Sequence, residues 1–249
     1  MFRHRDKGRV YSHNVLLAAL LSTVAGVVNI VGLLSLNTLT TNVTGHFAYF
    51  SEEFFLHNYA VAVTSIVYVF FFLIGAFVAN TAMELTSRDV THFSYFLPIW
   101  IEIVSLSFVA LSPFLFGDQF SVVVLSLALL FAMGLQNALV TRISGSVVRT
   151  THLTGIFTDL GIEFSQLLLY KKPSERKRLK RSIWLKLIIV LGFFIGGMVG
   201  ALLHRFYSLI SLLVPVGVLL FTLYYDKVRL NYYHIKRKFR TLSIHQKNK

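Results

Sequence analysis

Apolar and polar positions fall along this chain in blocks, without a sustained helical or strand period. Six apolar stretches, at 15–36, 59–83, 93–116, 120–141, 183–203 and 206–225, are each 20 to 25 residues long. Only Glu102, in the third, and Lys186, near the start of the fifth, interrupt them with charge. At ~1.5 Å per residue each is long enough to cross ~30 Å of hydrocarbon. Backbone in hydrocarbon must satisfy its own hydrogen bonds, so each stretch is predicted as a transmembrane helix. Two further stretches, 41–57 and 151–170, are partly apolar but carry acids and histidine. They are expected as short re-entrant or interfacial helices, with an extra span at each as the alternative.

The blocks repeat. Thr41-Asn-Val-Thr-Gly-His-Phe-Ala-Tyr-Phe-Ser-Glu-Glu-Phe54 lies over Thr151-His-Leu-Thr-Gly-Ile-Phe-Thr-Asp-Leu-Gly-Ile-Glu-Phe164 with six identities in fourteen. Upstream, Gly26-Val-Val-Asn29 matches Gly134-Leu-Gln-Asn137. Downstream, Ile74-Gly-Ala-Phe-Val-Ala79 matches Ile195-Gly-Gly-Met-Val-Gly200. Each copy, 15–116 and 117–225, holds three of the six predicted spans. An odd number of spans turns the second copy upside down, so the predicted fold is all-α, with six transmembrane helices in two inverted three-helix repeats. Many secondary transporters follow that plan, with the substrate site at the repeat interface on interrupted helices.

Composition removes one class of function. The chain of 249 residues is 55% hydrophobic and 14% charged, with mean hydropathy +0.66. A soluble domain carries about 25% charged residues, so a soluble globular enzyme is excluded. There is no cysteine, hence no disulfide, thiolate metal site or cysteine nucleophile. The first span is too long for a signal h-region and is expected to remain in the mature chain.

A net charge of +13 suits either a nucleic-acid binder or the basic cytoplasmic loops of a membrane protein, and placement decides. With six spans and a cytoplasmic N-terminus, 23 of the 24 Lys and Arg residues fall on the inner side, leaving Arg205 outside. Eight spans would put Arg88, Arg142, Arg149 and Arg205 outside. The expected order is therefore a cytoplasmic basic stretch at 1–14, the two copies, and a cytoplasmic basic tail at 226–249. The run from Lys171 to Arg181 and the tail suit anionic lipid headgroups. No nucleic-acid partner is expected, because no base-stacking platform accompanies the charge.

Ala25-Gly-Val-Val-Asn-Ile-Val-Gly32, Asn42-Val-Thr-Gly-His46, Ala132-Met-Gly-Leu-Gln-Asn-Ala138 and the run Val148-Arg-Thr-Thr-His-Leu-Thr-Gly155 resemble the YoaK-like family of bacterial inner-membrane proteins. The resemblance covers roughly 15 to 225 and implies a multi-pass protein of the bacterial inner membrane. The family is a domain of unknown function. Two positions depart from its pattern: Asn29 stands where relatives carry Asp, and His46 where they carry Asn. The first change takes a carboxylate out of the membrane.

Candidate residues follow from the repeat and from misplaced polarity. Asn29, Gln136 and Asn137 lie in apolar spans, where they either bond neighbouring helices, for ~0.6 to 2 kcal/mol, or hold a substrate. Gly45 and Gly155 are expected to break a helix and expose backbone amides, with Thr44 and Thr154 supplying hydroxyls. The same threonines could instead cap a short interfacial helix. Asp159 and Glu163 are spaced to share a helix face, with Arg142 or Arg149 as expected ion partners. Glu102, deep in its span, is a candidate proton relay or a hydrogen-bonded neutral acid. Gly192, Gly196 and Gly200, with Gly75 and Ala79, form faces of small residues for close helix packing, homodimerisation being their lesser use.

The function these residues predict is a secondary transporter of a small molecule or ion by alternating access. Its site would use Asn29, Thr44, Gly45, Gln136, Asn137, Thr154, Gly155 and Asp159. No cofactor, metal or catalytic residue is expected, and no phosphate-binding loop argues for direct ATP use. The competing readings are a membrane enzyme or lipid-handling protein using Glu53, Asp159 and Glu163, and a non-transporting scaffold or sensor.

Overall fold

A computed structural model describes residues 11–89, 95–144 and 148–225, and all regular structure among them is helical. The basic stretches at 1–10 and 226–249, the side chain of Arg88 and the start of the third apolar stretch at 93–94 lie outside the described residues. The helices are α1 (Tyr11–Leu36), α2 (Val43–Phe55), α3 (Tyr59–Asp89), α4 (Phe96–Phe116), α5 (Val122–Ile143), α6 (Leu153–Leu169) and α7 (Pro173–Tyr207). A final helix, α8, covers 213–225. Five segments are long and apolar enough to cross a membrane: Val15–Leu36, Tyr59–Thr86, Phe96–Phe116, Val122–Ile143 and Pro173–Tyr225. The protein is therefore a polytopic helical membrane protein.

The fifth of those segments, 53 residues long, contains both of the last two predicted spans. It turns at Ser208, whose φ of 48° ends α7, and continues through a 3-10 turn, Ser208–Leu212, into α8. The predicted boundary at 206 is thus corrected: Phe206 and Tyr207 end α7 and the next helix begins at 213. Apolarity runs unbroken through this corner, so hydropathy does not see it. Pro215 is compatible with it, because proline fits a helix's first turn at no cost in hydrogen bonds. Pro215 is the third residue of α8, as Pro98 is the third residue of α4.

α7 has 35 residues, or about 50 Å at ~1.5 Å each, well beyond the hydrocarbon thickness. Its first turns carry Arg176, Lys177, Arg178, Lys180 and Arg181 and form a basic extension of the apolar helix. α2, of 13 residues, is too short to cross unaided, and α6, of 17, stands at the lower limit for a span.

Packing follows the small residues. α1 lies against α7 and α3 against α5, while α2 and α6 rest on α3 and α7. α4 packs on α5 and against the Ser208–Leu212 turn, and α1 touches α5 at the centre. A Cβ added at Gly26 would run into the Phe193 carbonyl of α7, and one at Gly134 into the Phe72 carbonyl of α3. Added at Gly196 or Gly75, it would meet the carbonyls of Thr23 and Phe131. Gly192 and Gly200 also face α1, through Ser22 and Val27, and Ala79 is fully buried. Positions matched by the sequence repeat therefore make matched contacts. α1 and α5 are the interior helices, 61% and 56% buried over their apolar windows against 22% for α3.

Candidate functional site

The two conserved-by-repeat asparagines do the same thing. Thr41 donates to Asn29 Oδ1 through both its hydroxyl (2.9 Å) and its backbone N–H (3.2 Å). Thr151 donates to Asn137 Oδ1 at 2.9 Å. Each asparagine thus ties a long helix to the segment that leads into the following short helix. Gln136 donates to the Leu21 carbonyl of α1 at 2.6 Å, and its Oε1 is buried without a partner among the described residues. Thr40 and Thr150, equivalent in the repeat, are both fully buried, their hydroxyls likewise unpartnered among the described residues.

The Thr-Gly motifs open α2 and α6 rather than breaking a helix. Asn42, not Thr44, is the N-cap of α2, and its Oδ1 accepts from Gly45 N at 3.1 Å and from the Thr44 hydroxyl at 2.8 Å. This satisfies one of the donors that a helix start leaves free. Gly45 leaves room for the cap, since a Cβ there would lie 2.8 Å from Asn42 Nδ2. In α6 the N-cap is His152, whose side chain makes no capping bond; its ring instead lies over Gly155, beside Thr154. The eight predicted site residues are therefore spread over several small networks.

A cavity of about 400 Å³ opens between the end of α1, α2, α3 and the start of α5. Its polar lining includes His46, Tyr49 and Glu53 from α2, and Thr64, Ser65 and Tyr68 from α3. His46 is buried, donates through Nε2 to the Leu39 carbonyl at 2.8 Å and meets the Tyr68 ring edge-on at 5.4 Å. Burial pushes its pKa below the ordinary histidine value, the bond to Leu39 opposing this only in part. Its imidazole is thus neutral at pH 7, with Nδ1 free to accept. Glu53 accepts from Asn58 Nδ2 at 2.8 Å.

The repeat aligns His46, Tyr49 and Glu53 with Ile156, Asp159 and Glu163, and Thr64, Ser65 and Tyr68 with Leu185, Lys186 and Ile189. There the arrangement is closed. Lys186 Nζ lies 2.8 Å from Glu163 Oε1 and 3.2 Å from Asp159 Oδ2. Ser182 donates to the same Glu163 oxygen at 2.7 Å. Lys186 and Glu163 expose only 16% and 15% of their side chains, so this pair is largely out of water. Asp159 and Glu163 do share a face, but their cation is Lys186, not Arg142 or Arg149. Arg142 instead pairs with Glu84 and Asn80 of α3. Lys186 stands out in the sequence only as a charge near the start of the fifth apolar stretch; its alignment with Ser65 is the signal that points to a place in the site.

Two features stand apart. Glu102 of α4 is fully buried, and neither carboxyl oxygen has a partner among the described residues. A concavity of about 660 Å³ at the start of α7 is lined by Lys171, Arg176, Lys177, Lys180, Arg181 and Trp184.

The model of one protein family, DUF1275, described as a protein of unknown function, matches residues 17–225. The match spans the stretch over which the chain resembles YoaK-like proteins. Neither a curated protein nor a solved structure matches the chain.

Proposed function

The chain therefore belongs to the DUF1275 family, and we propose that it is a carrier for a small molecule or ion, working by alternating access across a bacterial inner membrane. In this reading α1, α3, α4, α5, α7 and the segment 208–225, the Ser208–Leu212 turn together with α8, are six spans in two inverted halves, 15–116 and 117–225. The termini and the basic start of α7 are cytoplasmic, the latter seated on anionic headgroups with Trp184 at the interface. The exchange of partners supports the inversion: α1 on α7 answers α3 on α5, and the glycine contacts recur in both.

The observation that carries the proposal is the difference between the two equivalent sites. With the basic residues inside, the 400 Å³ cavity faces outward. Its counterpart, near the inner face, is shut by Lys186 on Glu163 and Asp159. Alternation in an inverted-repeat carrier works by rocking one half against the other, and opening the inner side here requires the Lys186 ion pair to part. Asn29 and Asn137 hold the segments that lead into the short helices to the frame, and Thr44–Gly45 and Thr154–Gly155 lie in the first turn of each short helix. The enzyme reading draws less support, because Lys186 occupies Asp159 and Glu163, two of the three carboxylates it would use.

A chain without cysteine lets a single introduced thiol report on each site. Thr64→Cys should react with a membrane-impermeant maleimide applied from outside. Leu185→Cys, at the equivalent buried position, should react slowly from either side. Labelling of Thr64→Cys from the inside only would overturn the orientation and the proposal with it.

A further inference from the structure

We propose that the outward cavity binds a ligand carrying a primary ammonium group, with Glu53 as its counter-ion. The inference deepens the carrier reading by naming its substrate class, and rests on that reading only for the ligand's onward movement; binding stands by itself.

The lining is chemically one-sided. Glu53 brings a carboxylate, Thr64 and Ser65 bring hydroxyls, and Tyr49 and Tyr68 bring phenol rings, while among the described residues no lysine or arginine lines the cavity. His46, the one other basic group, is kept neutral by burial. A carboxylate accepts charge-assisted hydrogen bonds from an ammonium, and aromatic faces attract the same cation. An anion would meet Glu53 with nothing to offset the repulsion.

The second copy displays the complementary half of this interaction. At the position of Ser65 it has Lys186, and at the position of Glu53 it has Glu163, with 2.8 Å between ammonium nitrogen and carboxylate oxygen. The chain's own butylammonium arm thus fills the site equivalent to the cavity. In the first copy serine replaces that arm, the acid is retained, and about 400 Å³ of space adjoins it. The protein has kept the receptor for an ammonium while removing the tethered one. The free group could come from a solute or from the headgroup of an aminophospholipid, since both present the same ammonium.

The test uses the full chain in nanodiscs and n-butylammonium, the lysine arm cut free, with n-butanol as its uncharged counterpart. Binding is read by titration calorimetry and by protection of Thr64→Cys from maleimide. The ammonium should bind and protect, the alcohol should not, and Glu53→Gln should weaken the ammonium by about tenfold or more, as loss of a charged hydrogen bond does. Ser65→Lys, which installs the tethered group of the second copy, should abolish binding while leaving a monodisperse, folded protein. If nanodiscs containing phosphatidylethanolamine weaken n-butylammonium relative to phosphatidylglycerol alone, the headgroup is the natural occupant; equal affinity assigns a solute. Equal protection by alcohol and ammonium, or undiminished binding in Glu53→Gln and Ser65→Lys, would overturn the proposal. A labelling pattern that contradicts the carrier reading, with ammonium binding intact, would sink that reading alone.

Discussion

α2 and α6 are the same segment written twice, yet they have opposite characters. Both are short, begin on a Thr-Gly turn and hang from an asparagine–threonine bond of 2.9 Å. α6 is locked to α7 by an ion pair that is mostly out of water. α2 instead borders a cavity, and the one side chain it buries is a histidine. The frame that carries the helices is held symmetric by backbone-to-backbone glycine contacts. The difference is confined to a few side chains: Lys186 against Ser65, Leu185 against Thr64, Ile156 against His46. A duplicated membrane protein can thus keep its architecture symmetric and place its asymmetry in the site.

The frame should break first and hardest. Gly26→Val and Gly134→Val each drive a side chain into a facing carbonyl, so both should cost well over ~3 kcal/mol and yield little folded protein. Gly161→Ala, with nothing within 4 Å of the new carbon, should be close to neutral. Detergent thermal-shift assays with chromatographic yield would check all three. Equal damage at Gly161 would refute the close-contact account.

The lock comes next. Lys186→Gln leaves Glu163 and Asp159 without their cation and should cost about 2 to 3 kcal/mol, read as a lower Tm. Glu53→Gln, by contrast, keeps a carbonyl oxygen to accept from exposed Asn58 and loses only the charge, so it should cost no more than about 1 kcal/mol. A larger penalty at Glu53 than at Lys186 would invert the comparison.

The brackets should behave alike. Asn29→Ala and Asn137→Ala should each cost about 1 kcal/mol. Unequal costs would show that the matched bonds bear different loads. The smallest effect is the titration of His46. Its folded-state pKa lies below the ordinary value, so the unfolded chain takes up the proton first and stability falls as pH drops below ~6.5. Above pH 7 the contribution is complete and flat. His46→Gln should remove the acid-side slope in Tm.

Most of the frame was legible in the chain, because transfer of apolar helices into hydrocarbon depends on composition over ~20 residues. The small-residue faces and the duplication were legible for the same reason: they are written locally. Asn42 was readable as a cap by residue type, though Thr44 stood nearer the motif. The corner at Ser208 was hidden, since a turn between two apolar helices changes the direction of the chain and not its hydropathy. The closed site was hidden because an ion pair between α6 and α7 joins residues more than twenty apart. Only the alignment of Lys186 with Ser65 foreshadowed it, and that needs the repeat as a ruler. The cavity is a shape between four helices, which no linear pattern encodes.

The central claim is that the two equivalent sites differ because one carries a lysine that the other lacks. Exchanging them tests this directly: Ser65→Lys combined with Lys186→Ser, with maleimide labelling of Thr64→Cys or Leu185→Cys from each side of sealed vesicles. The account predicts reversal, with Thr64→Cys protected from outside and Leu185→Cys reactive from inside. An unchanged pattern, Thr64→Cys still open and Leu185→Cys still closed, would contradict it.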